Sequence, residues 1–296
     1  MAYDVADGYV VLFRSGHTWT FSAGTWTELS LSTHPSSRAY PAITYDAKDG
    51  YVVLFGGTGT NSTGATVQFE DTWKFVAGHW TKLKPSSHPS PRYGSAMTYD
   101  GNDGEVVLFG GVAYPRHDRS GILYSDTWAF AGGNWTNVTN AHHPSDRDGE
   151  GLAFDTTDGY VVLFGGCGYQ FGFCGNPLHD TWKFIGGAWT ELAPKTPPGA
   201  RGFMVFVDNP PNSTVLLFGG ANETTALGGT WMFSAGGWTH TTLDSHPSPR
   251  AASGFAFDTK DGSTGVGEVV VFGGTELLPV EFGDTWVFVD GAWTKD

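Results

Sequence analysis

All twelve tryptophans of this 296-residue chain fall into six pairs, and the two members of every pair are seven residues apart. The pairs are Trp19 and Trp26, Trp73 and Trp80, Trp128 and Trp135, Trp182 and Trp189, Trp231 and Trp238, and Trp286 and Trp293. The first tryptophan of a pair recurs every 54 or 55 residues, with one step of 49. Self-similarity at a fixed period indicates one structural unit repeated along the chain, here six times.

Each copy contains four short segments with strand character. An apolar stretch precedes each pair and reads VVLFRSG in the first copy, VVLFGG in the next three, then VLLFGG and VVVFGG. Asp-Gly turns such as AKDG and TTDG connect the first and second strands, because both residues tolerate the positive φ of a tight hairpin. In the second copy the strands are predicted over 40–45, 51–55, 72–76 and 79–83. No stretch has the apolar spacing and caps of a helix.

The sequence therefore predicts an all-β fold, a six-bladed β-propeller with four antiparallel strands per blade. We expect a single domain over residues 1–296, with blades at approximately 1–33, 34–87, 88–141, 142–195, 196–245 and 246–296. The first copy has residues 1–4 for its inner strand and the last copy ends on an outer strand. We therefore expect the ring to close without a strand exchanged between the two ends.

The apolar strand, the Gly-Gly pair and the two spaced aromatic residues of each copy resemble the kelch repeat, and the resemblance covers the whole chain. The pattern is most similar to prokaryotic extracellular kelch tandems and to the propeller part of galactose-oxidase-like proteins. Two departures are the tryptophan at a position where many kelch blades carry tyrosine, and the first copy, which lacks Gly-Gly. The resemblance implies a kelch-type propeller.

Residues that recur in every blade are expected to serve packing, because each blade buries the same faces against its neighbours. The aspartates of the Asp-Thr-Trp segments are expected to accept backbone donors in turns: Asp71, Asp126, Asp180 and Asp284. Four repeated histidines are His34, His88, His143 and His246. Equivalent positions on different blades do not converge to the roughly 2 Å that a shared zinc requires. We therefore predict no metal and no cofactor.

A segment such as HPSPR precedes the inner strand of five blades and places an arginine at equivalent positions near the channel mouth. These arginines are Arg38, Arg92, Arg147, Arg201 and Arg250. Two interpretations are open: each guanidinium pairs with a carboxylate or carbonyl of a neighbouring blade, or the five form a ligand-binding mouth for anions. We include them among the candidate ligand-binding residues.

The third and fourth blades depart most from the repeat, in loops that share one face of the ring. Loop variation on a rigid scaffold is where function usually lies. The further candidate ligand-binding residues are Arg116, His117, Arg119, Asp148, Glu150, Tyr169, Phe171 and Phe173. The alternative is that the aromatic members pack over a neighbouring loop. The opposite face has only tight turns, which leaves little freedom to build a pocket.

The two cysteines, Cys167 and Cys174, lie in one glycine-rich loop and are predicted to form a disulfide, which fits an oxidising compartment. Asn-x-Ser/Thr sites at Asn61, Asn134, Asn137, Asn212 and Asn222 point the same way. We therefore expect an extracellular or cell-surface location. The net charge of −14 argues against a nucleic-acid or anionic-membrane partner. No apolar run approaches membrane-spanning length.

Three function classes remain open. The first is a binding or adhesion module that presents the loop-bearing face to a protein or carbohydrate ligand. The second is an enzyme on a propeller scaffold, an oxidase, lyase or hydrolase, for which Asp148 and Glu150 are candidate acid–base groups. The third is a structural spacer. The iron-ligand motif of kelch specifier proteins, the copper-ligand pattern of galactose oxidases and the sialidase Asp box are all missing, so binding is favoured.

Overall fold

The computed structural model describes residues 1–61, 63–114, 121–169, 174–259, 267–276 and 280–296. It contains six four-stranded antiparallel sheets, and within each sheet the strands pair in the order in which they occur along the chain. The predicted all-β six-bladed propeller is therefore confirmed. The only helix in the described part is a 3-10 turn, Pro210–Asn212. None of the described residues belong to a helix long and apolar enough to cross a membrane.

The strands of each blade are given from the inner strand to the outer one. Blade one is Ala2–Asp4, Tyr9–Arg14, His17–Ser22 and Thr25–Leu29, and blade two is Ala42–Asp46, Tyr51–Phe55, Thr72–Val76 and His79–Lys82. Blade three is Ala96–Asp100, Glu105–Phe109, Thr127–Ala131 and Asn134–Asn137, and blade four is Gly151–Asp155, Tyr160–Phe164, Thr181–Ile185 and Ala188–Leu192. Blade five is Val205–Asn209, Thr214–Phe218, Thr230–Ser234 and Gly237–Thr241, and blade six is Gly254–Asp258, Glu268–Phe272, Thr285–Val289 and Ala292–Lys295. All these strands fall within the blade segments predicted above.

The second strand of each blade forms the core, because it is covered on both faces. In Tyr51–Phe55 every residue is buried, which is why the sequence there is continuously apolar rather than alternating. The turn before it is fixed by Asp46, whose Oδ1 accepts the backbone N–H groups of Lys48 and Asp49, both at 3.2 Å. Asp4, Asp100 and Asp155 accept the turn N–H groups of their own blades in the same way.

The second tryptophan of each pair ties its blade to the preceding one. Trp135 Nε1 donates to Thr72 Oγ1 at 2.9 Å, from blade three to blade two. The same bond recurs at every blade interface. It also spans the seam, where Trp26 Nε1 of blade one donates to Thr285 Oγ1 of blade six at 3.1 Å. The ring therefore closes without an exchanged strand, as predicted, and none of the twelve tryptophans is exposed.

Three of the loops between second and third strands contain short hairpins that the sequence analysis did not anticipate. They are Thr58–Thr60 with Thr66–Gln68, Val112–Ala113 with Ile122–Leu123, and Cys167–Tyr169 with Gly175–Pro177. Each hairpin is joined by a bridge to the segment that leads into the inner strand, as in the pairing of Ala39 with Thr58. These hairpins give the loop-bearing face a defined shape.

Candidate binding face

The repeated arginines are buried, with exposed fractions between 0% and 6%. In blade four, Arg147 Nη1 and Nη2 donate to the two carboxylate oxygens of Asp180, both at 2.7 Å. Nη1 also donates to the carbonyl of Gly165, and the remaining donors bond to the carbonyl and hydroxyl of Ser145. All five guanidinium N–H groups are thereby used. Equivalent pairs form in three more blades: Arg38 with Asp71, Arg92 with Asp126, and Arg250 with Asp284.

These contacts support internal pairing, the first of the two interpretations that the sequence left open, with the carboxylate in the same blade rather than in a neighbouring one. The hydrogen bond from Arg250, with a further one from Trp286, lowers the pKa of Asp284 to about 2. The Asp-Thr-Trp aspartates therefore accept arginine and tryptophan donors, not the turn donors expected from the sequence. Ligand binding through the five arginines stays a prediction, and Arg201 alone lacks a carboxylate partner within the described chain.

Two residues after each arginine, the backbone forms a chain of hydrogen bonds from blade to blade around the channel mouth. Ala252 N donates to Phe203 O at 2.9 Å, Phe203 N to Gly149 O at 2.6 Å, Gly149 N to Gly94 O at 2.9 Å, and Gly94 N to Tyr40 O at 3.1 Å. All five residues have positive φ, between 51° and 69°. Tyrosine and phenylalanine rarely adopt this conformation, so the aromatic side chains at two of these positions require a reason.

The reason is visible across the channel axis, where side chains of opposite blades meet. The rings of Tyr40 in blade two and Phe203 in blade five have centroids 6.1 Å apart. The ring centroid of Tyr93 lies 6.1 Å from that of Tyr40, and the ring of Tyr114 stacks on Tyr93 at a centroid distance of 6.4 Å. We call Tyr40, Tyr93, Tyr114 and Phe203 the mouth aromatic cluster. Tyr40 is 50% exposed, so this cluster covers the mouth and presents one ring to solvent.

Asp148 and Glu150 flank Gly149 in the chain of backbone hydrogen bonds and are almost fully buried, with 2% and 6% of their surfaces exposed. Burial, followed by the charges of Glu281 and Asp148, raises the pKa of Tyr40, so Asp148 contributes negative potential at the mouth. Glu150 Oε1 accepts the backbone N–H of Ala96 at 3.2 Å. Its Oε2 has no hydrogen-bond partner among the described residues. Burial raises the pKa of Glu150 to about 8, which favours the protonated carboxyl at neutral pH.

The predicted disulfide between Cys167 and Cys174 is confirmed. It packs against Gly202 of blade five so closely that a Cβ at that position would overlap both sulfurs. The predicted site residues Arg116, His117, Arg119, Phe171 and Phe173 lie outside the described residues, and so does the side chain of Tyr169. In the described part of the chain no three metal-ligand side chains come together.

The inner strands of all six blades line a channel cavity of about 300 Å³. Its walls include Tyr45, Tyr99, Phe154 and Phe257, near the end with the tight turns. Asp208 stands where these blades carry an aromatic residue, and burial raises the pKa of this carboxyl to about 7. The space at this end is provided by the channel between the inner strands and not by the tight turns.

No protein-family model matches the sequence, and no curated protein matches it. The solved structure of YjhT, a propeller, aligns with 100% of this chain and 96% of that chain, with a TM-score of 0.73 and 15% sequence identity. At this level of identity the likeness shows the fold alone. The six-bladed β-propeller is thus supported by an independent structure over the whole chain.

Proposed function

We propose that this chain is a binding module that presents its loop-bearing face, centred on the mouth aromatic cluster, to a carbohydrate ligand. The observation that carries the proposal is Tyr40, a half-exposed aromatic ring at the axis of the propeller. Its φ is 51°, and the equivalent positions of blades three, four and six are occupied by Gly94, Gly149 and Ala252. A costly conformation that places a half-exposed aromatic ring at the mouth points to contact with a ligand.

The chemistry of the mouth favours a neutral, hydroxyl-rich ligand over an acidic one. The five repeated guanidinium groups are buried and, in four blades, paired with aspartates. Asp148 and Glu281 both contribute negative potential at Tyr40, and the whole chain carries a net charge of −14. Small-molecule sites usually combine an apolar contact surface with a few polar groups. At this mouth an aromatic ring can cover the apolar face of a sugar, and the acceptor groups around it can bind the sugar hydroxyls.

The other function classes fit the geometry less well. An enzyme that used Asp148 and Glu150 would require both carboxyl groups to reach a substrate, and both are nearly inaccessible. Glu150 instead forms part of the blade interface, where its Oε1 accepts the backbone N–H of Ala96. A spacer would not need the strained aromatic residue at the mouth. The kelch assignment and an extracellular location belong to this proposal too, and the disulfide supports an oxidising compartment.

A glycan array followed by titration calorimetry tests the proposal. Tyr40→Ala is a suitable variant because Ala252 adopts a φ of 55° at the equivalent position of blade six. We expect at least a tenfold loss of affinity, with Tm unchanged within about 1 °C, since Tyr40 is half exposed. Tyr40→Phe keeps the ring and should retain most of the affinity. Ile185→Ala, which truncates an exposed side chain at the end of the strand Thr181–Ile185, beside a tight turn, is the matched control.

Two outcomes would overturn this proposal. If Tyr40→Ala binds the glycan as tightly as the unaltered chain, the cluster only closes the channel. If the array shows no glycan and a protein ligand is captured instead, the face binds protein, which is the other ligand class open to this module.

A further inference from the structure

Blade five is the one blade in which the arginine before the inner strand has no aspartate to bind. The residue two positions before the first tryptophan of the pair is aspartate in blades two, three, four and six, but Gly229 in blade five. Arg201 nevertheless remains, and it is only 6% exposed. A buried charge without a compensating partner is strongly unfavourable, so its retention calls for an explanation.

The other supports of the guanidinium are missing in the same blade. In blades two and four the arginine Nη2 also donates to a serine hydroxyl, as in Arg147 to Ser145. Gly199 replaces that serine in blade five. In blades two, three and six an aromatic ring covers the guanidinium within about 4 Å, whereas Leu227 occupies that loop position in blade five. Other blades lose at most one of the three supports, and blade five loses all three.

The backbone around the missing carboxylate is unchanged. Gly219 N donates to Gly229 O at 3.2 Å, and Gly165 N donates to Asp180 O at 3.2 Å in blade four. Arg201 Nη1 donates to Gly219 O at 3.0 Å, as the arginine of blade four does to Gly165 at 2.9 Å. Arg201 therefore faces the position of an aspartate side chain with the geometry that the other blades use to bind one.

Several donors converge on this position. Arg201 uses Nε on Gly199 O and one N–H of Nη1 on Gly219 O, which leaves three N–H groups without an acceptor among the described residues. The indole Nε1 of Trp231 also lacks one there, whereas Trp182 Nε1 of blade four donates to its aspartate at 2.7 Å. A Cβ built on Gly229 would lie 3.1 Å from Trp231 Nε1, so the indole N–H borders the same space.

We infer that blade five contains a carboxylate-binding subsite, in which Arg201 and Trp231 hold a ligand carboxylate where other blades hold an aspartate. His240, an exposed side chain paired in register with Trp231, lies 3.5 Å from the same Cβ position. Lysines hold this register position in blades two and six, where they approach the aspartates at 3.5 and 3.8 Å. The fork of a guanidinium matches a carboxylate bidentately, and burial without a counter-ion lowers the pKa of Arg201 to about 10.

The subsite can be reached from solvent. The aspartate side chains at the equivalent positions of the other blades are 13% to 24% exposed. In blade five the side chain that would fill this space is absent from the sequence. The subsite lies beside the third and outer strands, away from the channel axis, so it does not depend on the carbohydrate proposal for the mouth.

Acetate is the direct probe, because it reproduces an aspartate side chain from Cβ outward. At 100 mM acetate we expect Tm to rise by about 2 °C for a Kd on the order of 10 mM. Acetamide, which has the same shape without the charge, should leave Tm unchanged. Sodium chloride at the same ionic strength is the control, and protection by chloride equal to that by acetate would refute a carboxylate site.

Two variants test the residues. Gly229→Asp supplies the carboxylate from the chain itself, so it should raise Tm in buffer and abolish the response to acetate. Gly229→Asn fills the same space without a charge, so it should also abolish the response to acetate but should not raise Tm. A higher Tm for Gly229→Asp than for Gly229→Asn then separates the charge from the steric effect, even where both variants lose stability. Trp231→Phe removes one donor and should weaken acetate binding roughly fivefold. An acetate response that persists in Gly229→Asp would place the anion elsewhere, and an undiminished response in Trp231→Phe would exclude Trp231 from the subsite.

The carboxylate can belong to a small acid or to an acidic side chain of another protein. A blocked peptide that contains one aspartate distinguishes them by competition with acetate in calorimetry. Tighter binding of the peptide assigns the subsite to protein recognition, and binding of acetate alone assigns it to small acids. Failure of both to bind the unaltered chain would overturn the inference.

Discussion

Replacement of Glu150 by glutamine should remove a large part of the alkaline destabilisation of this protein. Burial raises the pKa of the Glu150 carboxyl from 4.5 to about 8, with Asp148 acting in the same direction and Arg147 in the opposite one. A group whose pKa is raised in the folded state keeps a proton that the unfolded chain has already lost. Its contribution to stability is therefore complete below about pH 4.5 and is lost as the pH rises towards 8.

The magnitude follows from the two pKa values. Each unit of difference corresponds to about 1.4 kcal/mol, so the destabilisation is roughly 1 kcal/mol at pH 5 and about 5 kcal/mol at pH 9. Between these pH values, the wild-type chain should lose about 4 kcal/mol more than Glu150→Gln, equivalent to about 6 °C in Tm for a chain of this length. The difference between the two pH values is the quantity to compare, because the glutamine amide alters absolute stability by itself.

Urea unfolding at pH 5 and pH 9 measures this difference directly. Glu191→Gln, a substitution at an exposed glutamate, should leave the pH dependence of the wild-type chain unchanged and serves as the control. Equal pH dependence in the wild-type chain and Glu150→Gln would mean that Glu150 is ionised in the folded state. Burial would then not determine the protonation state of this carboxyl.

Three further predictions concern the scaffold. Asp126→Asn removes the charge that balances a buried arginine and should cost about 3 kcal/mol in the free energy of unfolding, measured with urea. Thr285→Val removes the acceptor of the Trp26 indole at the seam and should cost about 1 kcal/mol, with a matching fall in Tm measured by calorimetry. Reduction of the bond between Cys167 and Cys174, which closes a short loop, should cost about 2 kcal/mol, and Tm measured with and without dithiothreitol checks it.

The blades could be predicted because each interface repeats the same buried residues. The tryptophan pairs and the strands such as Tyr51–Phe55 recur with fixed spacing, and that spacing is determined by packing between neighbouring blades. The short hairpins of the loops were missed, since segments such as Thr58–Thr60 are held by a neighbouring segment, not by an apolar pattern of their own. Local sequence carries little signal for strands of two or three residues.

The arginine pairs show where the sequence carried a signal that was not decisive. In four copies an aspartate follows the arginine by 33 or 34 residues, as Asp180 follows Arg147, and this constant spacing was available from the sequence. This spacing alone does not distinguish internal pairing of the arginines from an anion-binding mouth. The distinction depends on how deeply each guanidinium is buried, which only the structure gives. The contact of Tyr40 with Phe203 was not predictable, because it joins opposite blades across the axis at a separation of 163 residues.

A residue that differs from its equivalents in the other blades indicates a functional site only when no other residue of the same blade replaces the lost contact. Arg92 lacks the serine contact that Arg147 makes, but the ring of Tyr124 lies 3.8 Å from its guanidinium carbon, so the loss is offset within the blade. Arg201 loses aspartate, serine and ring together and gains no new partner from the described chain. In a repeated scaffold, an uncompensated buried charge is a more specific guide to a site than loop length, because the four other blades with this arginine show which partners a buried guanidinium requires.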